Sequence, residues 1–86
     1  MPVVLRVKGY RFWFYEADLD EPPHIHVGKG DNEAKYWLTP ISRARSRRFR
    51  DHELHEIESI LEEYRNNILN AWRKEQKKRG NRSSKN

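Results

Sequence analysis

The repeat of the apolar residues changes near residue 50, and this change constrains the fold more than any other feature. Before it, apolar and polar residues alternate in short runs, as they do in strands that bury one face. After Asp51, which we assign as a helix N-cap, apolar residues recur every three or four positions, the spacing of a helix with one apolar stripe. The stripe contains Leu54, Ile57, Leu61, Tyr64, Ile68 and Trp72. We therefore predict an α+β fold in which a long C-terminal helix covers one face of a sheet.

The segment before residue 40 predicts a small four-stranded antiparallel meander. The first two strands, residues 3–7 and 10–15, are separated by Lys8 and Gly9, so we expect a hairpin. The third and fourth strands are expected at about 24–28 and 33–39. A chain of 86 residues has room for one core. We expect a single domain over residues 1–75 and a basic disordered tail over 76–86.

Composition excludes several classes of protein. Three Trp, four Tyr and three Phe provide large core residues that a disordered chain lacks. No apolar run is long enough for a membrane span, and there is no secretory signal pattern. The absence of Cys rules out disulfides and thiolate metal sites. We expect a cytoplasmic protein with no membrane partner and no cofactor.

The charges are arranged in blocks. Residues 41–50 hold five Arg and no acid, residues 51–72 hold one Arg and six acids, and residues 73–86 hold seven Lys or Arg and one acid. Clustered arginines with a pI near 9.7 are the electrostatic footprint expected of a protein that binds a polyanion. Residues 42–50 are predicted to be a basic connector between sheet and helix.

The segment from Pro22 to Val27 is the one most suited to chemistry. The prolines Pro22 and Pro23 exclude a helix, and the strand that follows places His24 and His26 on the same face. Upstream acids can orient an imidazole or raise its pKa. We interpret Asp18 as an ordinary solvated loop residue and favour that interpretation less for Glu21.

The face of the sheet opposite the helix is predicted to be basic and aromatic. Such a surface can stack bases and neutralise phosphates. Alternatively, its tryptophans pack across strands or against a second copy of the protein, which leaves a homodimer open. The face gathers Arg6, Arg11, Trp13, Tyr15, His24, His26, Lys35 and Trp37, and the connector adds Arg43, Arg45, Arg47 and Arg48.

The order of these features resembles a known family. A glycine hairpin, an aromatic strand that ends in acids, the Pro-Pro-His-Ile-His segment and a helix ending near Trp72 are similar to the small bacterial domain of unknown function 4160, over residues 1 to about 75. The family's segment is of the PPHxHA type, and Val27 replaces its usual small residue. The resemblance implies a toxin of a two-gene toxin–antitoxin module, often encoded beside a small antitoxin of the domain of unknown function 2442 type.

These observations lead to four hypotheses for the function of the protein. In the first, the toxin acts on RNA, with His24, His26 and Arg11 (or Arg6) supplying the base, the acid and the cation for cleavage. In the second, the basic face is a non-catalytic binding module for nucleic acid or for an acidic antitoxin. In the third, His24, His26 and a carboxylate such as Glu21 or Asp20 bind a metal, although we assign no metal ligand. In the fourth, the histidines only hold the hairpin in place.

Overall fold

A five-stranded antiparallel sheet and one long helix form the fold. The computed structural model describes residues 3–84, with side chains described through residue 78. The predicted α+β class is confirmed, whereas the predicted number of four strands is wrong. The strands pair in sequence order, as expected for a meander. The elements are β1 (Val3–Val7), β2 (Tyr10–Trp13), a 3₁₀ helix (Glu16–Asp20), β3 (His24–Lys29), β4 (Asn32–Leu38), β5 (Ile41–Arg47) and α1 (Asp51–Ser84).

The fifth strand is the segment that we predicted to be a connector. β5 pairs antiparallel with β4 at the edge of the sheet, and six of its seven residues are exposed. A strand that buries neither face has no apolar alternation, so the pattern that reveals the other strands is missing here. Charged residues on an edge strand also discourage pairing with other chains. The arginines of residues 41–50 therefore belong largely to a strand.

The two tight turns follow local backbone chemistry. Lys8 and Gly9 both have positive φ, 52° and 86°, as a type I′ hairpin turn requires. Gly30 has a φ of 60° in the turn between β3 and β4. β4 and β5 are joined through a cis peptide bond between Thr39 and Pro40. These turns join three of the four successive strand pairs, and the 3₁₀ helix lies in the connection between β2 and β3.

The core lies between the helix and one face of the sheet. Tyr10, Phe12 and Phe14 are almost fully buried, so the predicted core face of β2 is confirmed. The helical stripe is also buried, except that Tyr64 is only partly so. Each large apolar side chain buried here contributes about 1.5–3 kcal/mol. Other members of the core are Ile25, Val27, Ala34, Tyr36, Leu38, Leu54, Ile57, Ile60, Leu61, Ile68, Leu69 and Trp72.

Polar side chains tie the helix to the sheet at the edges of this core. The Tyr10 hydroxyl donates to Glu56 at 2.8 Å, and the Tyr36 hydroxyl donates to Glu58 at 2.8 Å. Arg65 donates from Nε to the carbonyl of Leu38 at 2.7 Å. Each of these hydrogen bonds joins a residue of the helix to a residue of the sheet. Together they help to fix the position of the helix over the strands.

The helix begins one residue earlier than the expected cap implies. Arg50 is at the N-cap, because its carbonyl accepts the first helical bond from Leu54 and its own N–H donates to the Glu53 carboxylate at 2.9 Å. Asp51 is therefore the first helical residue.

The C-terminal end of the helix also differs from the prediction, which was a disordered tail from residue 76. The helix continues through that segment to Ser84, and residues 85–86 lie outside the described part. The division of the chain at residue 75 stays a prediction.

Candidate functional site: a buried His-His-Asp cluster beside a basic face

The 3₁₀ helix brings a carboxylate to the histidines. Leu19 is buried in the core, and this anchors the short helix at the end of the sheet. The backbone N–H of Tyr15 donates to Asp18 Oδ2 at 2.9 Å, which fixes the carboxylate. Gln76 on α1 donates to the carbonyl of Leu19 at 2.9 Å. Asp18 is thus held from both sides and points toward β3.

Asp18 contacts both imidazoles with the same oxygen. Its Oδ2 lies 3.1 Å from Nε2 of His26 and 3.3 Å from Nε2 of His24. The three potential ligand atoms all lie within 4.8 Å of one another. His24 is completely buried and His26 is 6% exposed. The cluster therefore lies inside the protein and not on an open surface.

The other ring nitrogen of His24 is held by the Pro-Pro segment. Nδ1 lies 3.1 Å from the carbonyl oxygen of Pro22. A carbonyl oxygen can only accept, so Nδ1 carries the proton in this contact. Leu38 donates its backbone N–H to the Pro23 carbonyl at 3.1 Å, which attaches the segment to β4. The prolines thus set the position of the ring as well as the entry into β3.

The electrostatics of the cluster favour an ionised carboxylate and a neutral imidazole. Burial acts to raise the pKa of Asp18, but the backbone hydrogen bond from Tyr15 and the contacts with the histidines outweigh it and lower that pKa. Burial lowers the pKa of His26, and the opposing effect of Asp18 compensates only in part. At neutral pH the site holds an anion next to an imidazole that prefers to be uncharged.

Aromatic rings surround the cluster. Trp13 stacks on His26, with ring centroids 5.8 Å apart and planes 21° apart, and Tyr15 meets the same imidazole edge-on at 5.1 Å. Trp37 and Trp72 pack against His24 at 5.5 and 5.3 Å. The rings exclude water and leave the cluster in an environment of low polarity.

Trp13 is placed differently from the expectation. It lies on the face opposite the helix, as predicted, but it is only 6% exposed. Its ring lies across Gly28, where a Cβ atom would come within 3.0 Å of the ring. The stacking partner of Trp13 is therefore His26 of the same chain. Trp13 therefore packs across strands, but on His26 of β3 and not on Trp37 of β4 as the alternative interpretation had it, and the homodimer stays a prediction.

The remaining outer-face residues form what we call the basic face: Arg6, Arg11, Lys35, Arg45 and Arg47. Strand register aligns Arg6 with Arg11 and, further across the sheet, Glu33 with Arg47. In the neighbouring row, Lys35 is paired with Arg45. Arg6, Arg45 and Arg47 are exposed, whereas Arg11 and Lys35 are half-buried. The structure thus brings together five of the cations predicted for this face.

Arg43 is separated from the basic face. The register changes between Lys35, which pairs with Arg45, and Tyr36, which pairs with Arg43, so Ala44 is an extra residue that forms a bulge. As a result Arg43 faces the helix, where its Nη2 donates to Glu58 at 3.0 Å. Arg48 is exposed beyond the end of β5, with a positive φ of 72°.

Asp18 is the residue of the candidate site whose position the sequence analysis predicted wrongly. It is not a solvated loop residue but a member of the cluster. Glu21, for which we favoured the loop interpretation less, lies 3.9 Å from Nδ1 of His24 and 3.8 Å from Lys35 Nζ, on the other side of the ring. The signal for Asp18 was weak, because a short 3₁₀ helix after an aromatic strand has no strong sequence pattern.

The fold and the site define a class of small α+β proteins in which a His-x-His strand, preceded by two prolines, meets an aspartate from a short helical turn. The chain belongs to the family described as Domain of unknown function (DUF4160), whose model matches residues 9–73. No curated protein and no solved structure matches the chain. Within the described residues, no helix has both the length and the apolar character needed to cross a bilayer.

Proposed function

We propose that this protein binds single-stranded RNA through its basic face, as the toxin component of a toxin–antitoxin module. The observation that carries the proposal is the convergence of five cationic side chains on one face of the sheet. Side chains that neutralise phosphates supply most of the affinity of a protein for a nucleic acid strand. The toxin role comes from the family resemblance.

The exposed arginines of the basic face are available to a ligand, whereas Lys35 has an ion pair with Glu21 at 3.8 Å. Arg45 and Arg47 project from an edge strand whose outer side is unpaired in the described structure. The helix lies on the other side of the sheet. Its acid Glu58 accepts hydrogen bonds from Tyr36 and Arg43, which point toward the helix and away from the basic face. Glu33 lies in the row of Arg47 and is the acid that the register places there.

A shallow cleft next to the basic face suits a nucleobase. It has a volume of about 270 Å³ and is lined by Pro22, Pro23, Trp37, Thr39, Pro40 and Ser42. Lys35 Nζ lies over the Trp37 ring, 4.7 Å from its centroid. An indole that is half-exposed between prolines offers a face for stacking, and such stacking contributes about 1–3 kcal/mol per base. Lys35 stands where it can meet the phosphate of a base stacked in this cleft.

The burial of the histidines favours binding over cleavage. A general base must come within about 3 Å of the 2′-hydroxyl whose proton it takes. His24 is fully buried and His26 is covered by the rings of Trp13 and Tyr15. Cleavage by His24, His26 and Arg11 therefore stays a prediction, with binding as the function that the geometry supports better.

The test is a binding titration with fluorescently labelled single-stranded RNA over a range of salt concentrations. We expect wild-type protein to bind with a strong salt dependence, and Arg45→Glu/Arg47→Glu to bind at least about tenfold more weakly with a shallower salt slope, because each lost phosphate contact removes about 0.7 from that slope. The matched control is Lys74→Glu/Lys77→Glu, which changes the net charge equally on exposed positions of the helix.

Three results would contradict the proposal. One is the absence of RNA binding by folded wild-type protein, and another is an equal loss of affinity in the control, which would mean attraction by net charge alone. The third is RNA breakdown by the wild type but not by His26→Gln, which would favour catalysis. Induced expression in a bacterial host tests the toxin role separately: growth arrest is expected with the wild type and not with Arg45→Glu/Arg47→Glu.

An acidic antitoxin is the second candidate partner, and the edge position of β5 favours it. An extended acidic segment can add to an edge strand through backbone hydrogen bonds while its carboxylates pair with exposed arginines. Such binding requires free backbone groups on β5. Ser46→Pro, or substitution of Ser42 by proline, would lower the affinity for a partner that adds a strand to β5 much more than it lowers the affinity for RNA.

A further inference from the structure

One buried nitrogen of the cluster, Nε2 of His24, has no hydrogen bond among the described residues. It is one of three such side-chain atoms in that part of the chain, with Nε1 of Trp13 and of Trp72. Leaving a buried polar atom without a partner costs about 1–3 kcal/mol. The atom is not aimed at apolar surroundings but at the Asp18 carboxylate, 3.3 Å away.

The tautomer of His24 makes this contact unfavourable without a cation. Because Nδ1 donates its proton to the Pro22 carbonyl, Nε2 of the neutral ring presents a lone pair. That lone pair faces Oδ2 of Asp18, which is also an acceptor. Two acceptors at this distance repel each other unless a positive charge lies between them. The same oxygen accepts a hydrogen bond of 3.1 Å from Nε2 of His26, so an ion that displaced this proton would meet an electron pair from each of the three side chains.

We propose that Asp18, His24 and His26 bind one divalent transition-metal ion, of which Zn²⁺ is the representative. Zinc bonds to imidazole nitrogen and carboxylate oxygen are about 2.0–2.2 Å, so tetrahedral ligands stand about 3.4 Å apart. The contacts of Oδ2 with the two imidazoles, 3.1 and 3.3 Å, are already close to that separation. The ligand nitrogens of the two histidines, which lie within 4.8 Å of each other, would have to approach to about the same separation to coordinate one ion.

The donor set selects the class of metal. Two imidazoles and one carboxylate suit Zn²⁺, Fe²⁺, Co²⁺ and their neighbours, whereas Mg²⁺ and Ca²⁺ prefer oxygen ligands. Three protein ligands leave at least one position for water or another small ligand, as in catalytic rather than structural zinc sites.

The surroundings have the properties of a metal site's outer shell. Histidine ligands of metals usually donate their second N–H to a carbonyl or carboxylate, and Pro22 supplies this carbonyl for His24. The rings of Trp13, Trp37 and Trp72 exclude bulk water from the imidazoles. The Asp18 carboxylate is itself fixed by the N–H of Tyr15. His24 and Asp18 are therefore oriented before any ion arrives.

The test uses untagged, chelator-treated protein titrated with Co²⁺, followed by displacement of Co²⁺ with Zn²⁺. We expect one equivalent of Co²⁺ to bind with the visible absorption of a site with nitrogen and oxygen ligands, and Zn²⁺ to raise the melting temperature. Asp18→Asn, His24→Gln and His26→Gln should each weaken Co²⁺ binding at least about a hundredfold, since even outer-shell changes cost 10–100-fold. The control is His52→Gln/His55→Gln, which alters two exposed helix histidines.

The proposal is overturned if folded wild-type protein binds neither metal, if the three cluster variants bind as the wild type does, or if the control loses the site. Circular dichroism of each chelated variant establishes that it is folded. Should His24→Gln fail to fold, Asp18→Asn carries the test, because it keeps the shape of a side chain that is not in the core. Metal binding measured without RNA distinguishes failure of this proposal from failure of RNA binding.

Discussion

Gln76, near the end of the described side chains, donates a 2.9 Å hydrogen bond to the carbonyl of Leu19, 57 positions earlier in the chain. This bond joins the far half of α1 to the short helix that carries Asp18. The ordering of the candidate site thus depends on a residue just beyond the predicted domain boundary at residue 75, so a protein shortened to that boundary would lose the contact.

Gln76→Ala should loosen the 3₁₀ helix without unfolding the domain. Loss of one hydrogen bond of about 1 kcal/mol speeds local opening about fivefold. We expect faster hydrogen exchange at the amides of Asp18 and Glu21, which close the turn. The control Lys77→Ala changes an exposed neighbour and should leave those amides unaffected. Equal exchange rates in both variants would contradict the anchoring role of Gln76.

Tyr36→Phe should destabilise the protein by about 1–3 kcal/mol, because it removes a buried hydroxyl that donates to the ionised Glu58. The packing of the ring is retained, so the loss reports the hydrogen bond alone. Burial and the bond to Glu58 both raise the pKa of this phenol. Urea unfolding measures the effect. Tyr64→Phe is the matched control, and a loss there as large as at Tyr36 would refute this account.

Glu58 should contribute to the dependence of stability on pH. Burial acts to raise its pKa, but the bonds from Arg43 and Tyr36 and the charge of His55 outweigh it, so that the pKa lies below its ordinary value of 4.5. Because the pKa is lower in the folded state, the stabilisation is fully present above about pH 5 and is lost as pH falls through the folded pKa.

The free energies of unfolding of wild type and Glu58→Gln, measured from about pH 7 to about pH 3, test this sign. The difference between them should be constant near neutrality and should shrink in acid. Glu62, which lines the same cavity as Glu58 and Arg43, is the control position for an acid without those bonds. A difference that grows in acid would mean that the pKa of Glu58 is raised.

Gly28→Ala should cost about 1–3 kcal/mol, the usual cost of overpacking. A Cβ atom there would lie 3.0 Å from two atoms of the Trp13 ring, so the indole must move away from His26. The same substitution should cost less in a Trp13→Phe background, since the smaller ring does not reach as far. Thermal melts and tryptophan fluorescence of the four proteins measure this coupling. Additive effects would show that the indole is not the obstacle.

Trp72→Ala should be among the most damaging single changes, with a loss of about 3–5 kcal/mol. The ring is fully buried between Phe14 and His24, so its removal opens a cavity that reaches the candidate site. Trp72→Phe should cost less because it refills part of that volume. Denaturant unfolding gives both values. A similar loss on substitution of the exposed Arg73 would contradict the assignment to the core.

The sequence was informative wherever a segment buries one face. Alternation placed Tyr10, Phe12 and Phe14 in the core, and the three- and four-residue spacing identified the helix stripe. It was uninformative for β5, whose exposed arginines carry no such periodicity. The pairing of His24 with His26 on one face was foreseeable from the strand pattern. Their burial was not, because it depends on Trp72 and Trp13 arriving from distant parts of the chain.

The bulge at Ala44 decides which arginine performs which task. A side chain on a strand changes face with every residue, so the one extra residue lets Arg43 bind the helix while Arg45 and Arg47 face outward. Loss of the single codon for Ala44 would therefore alter no charge and remove no arginine. It would also leave each arginine on its present face, because the shortened strand can pair regularly, Arg43 with Tyr36, Arg45 with Lys35 and Arg47 with Glu33. The two tasks would merge only if Ala44 were kept in a regular ladder, since residues 43, 45 and 47 would then share one face and compete for the same side of the sheet.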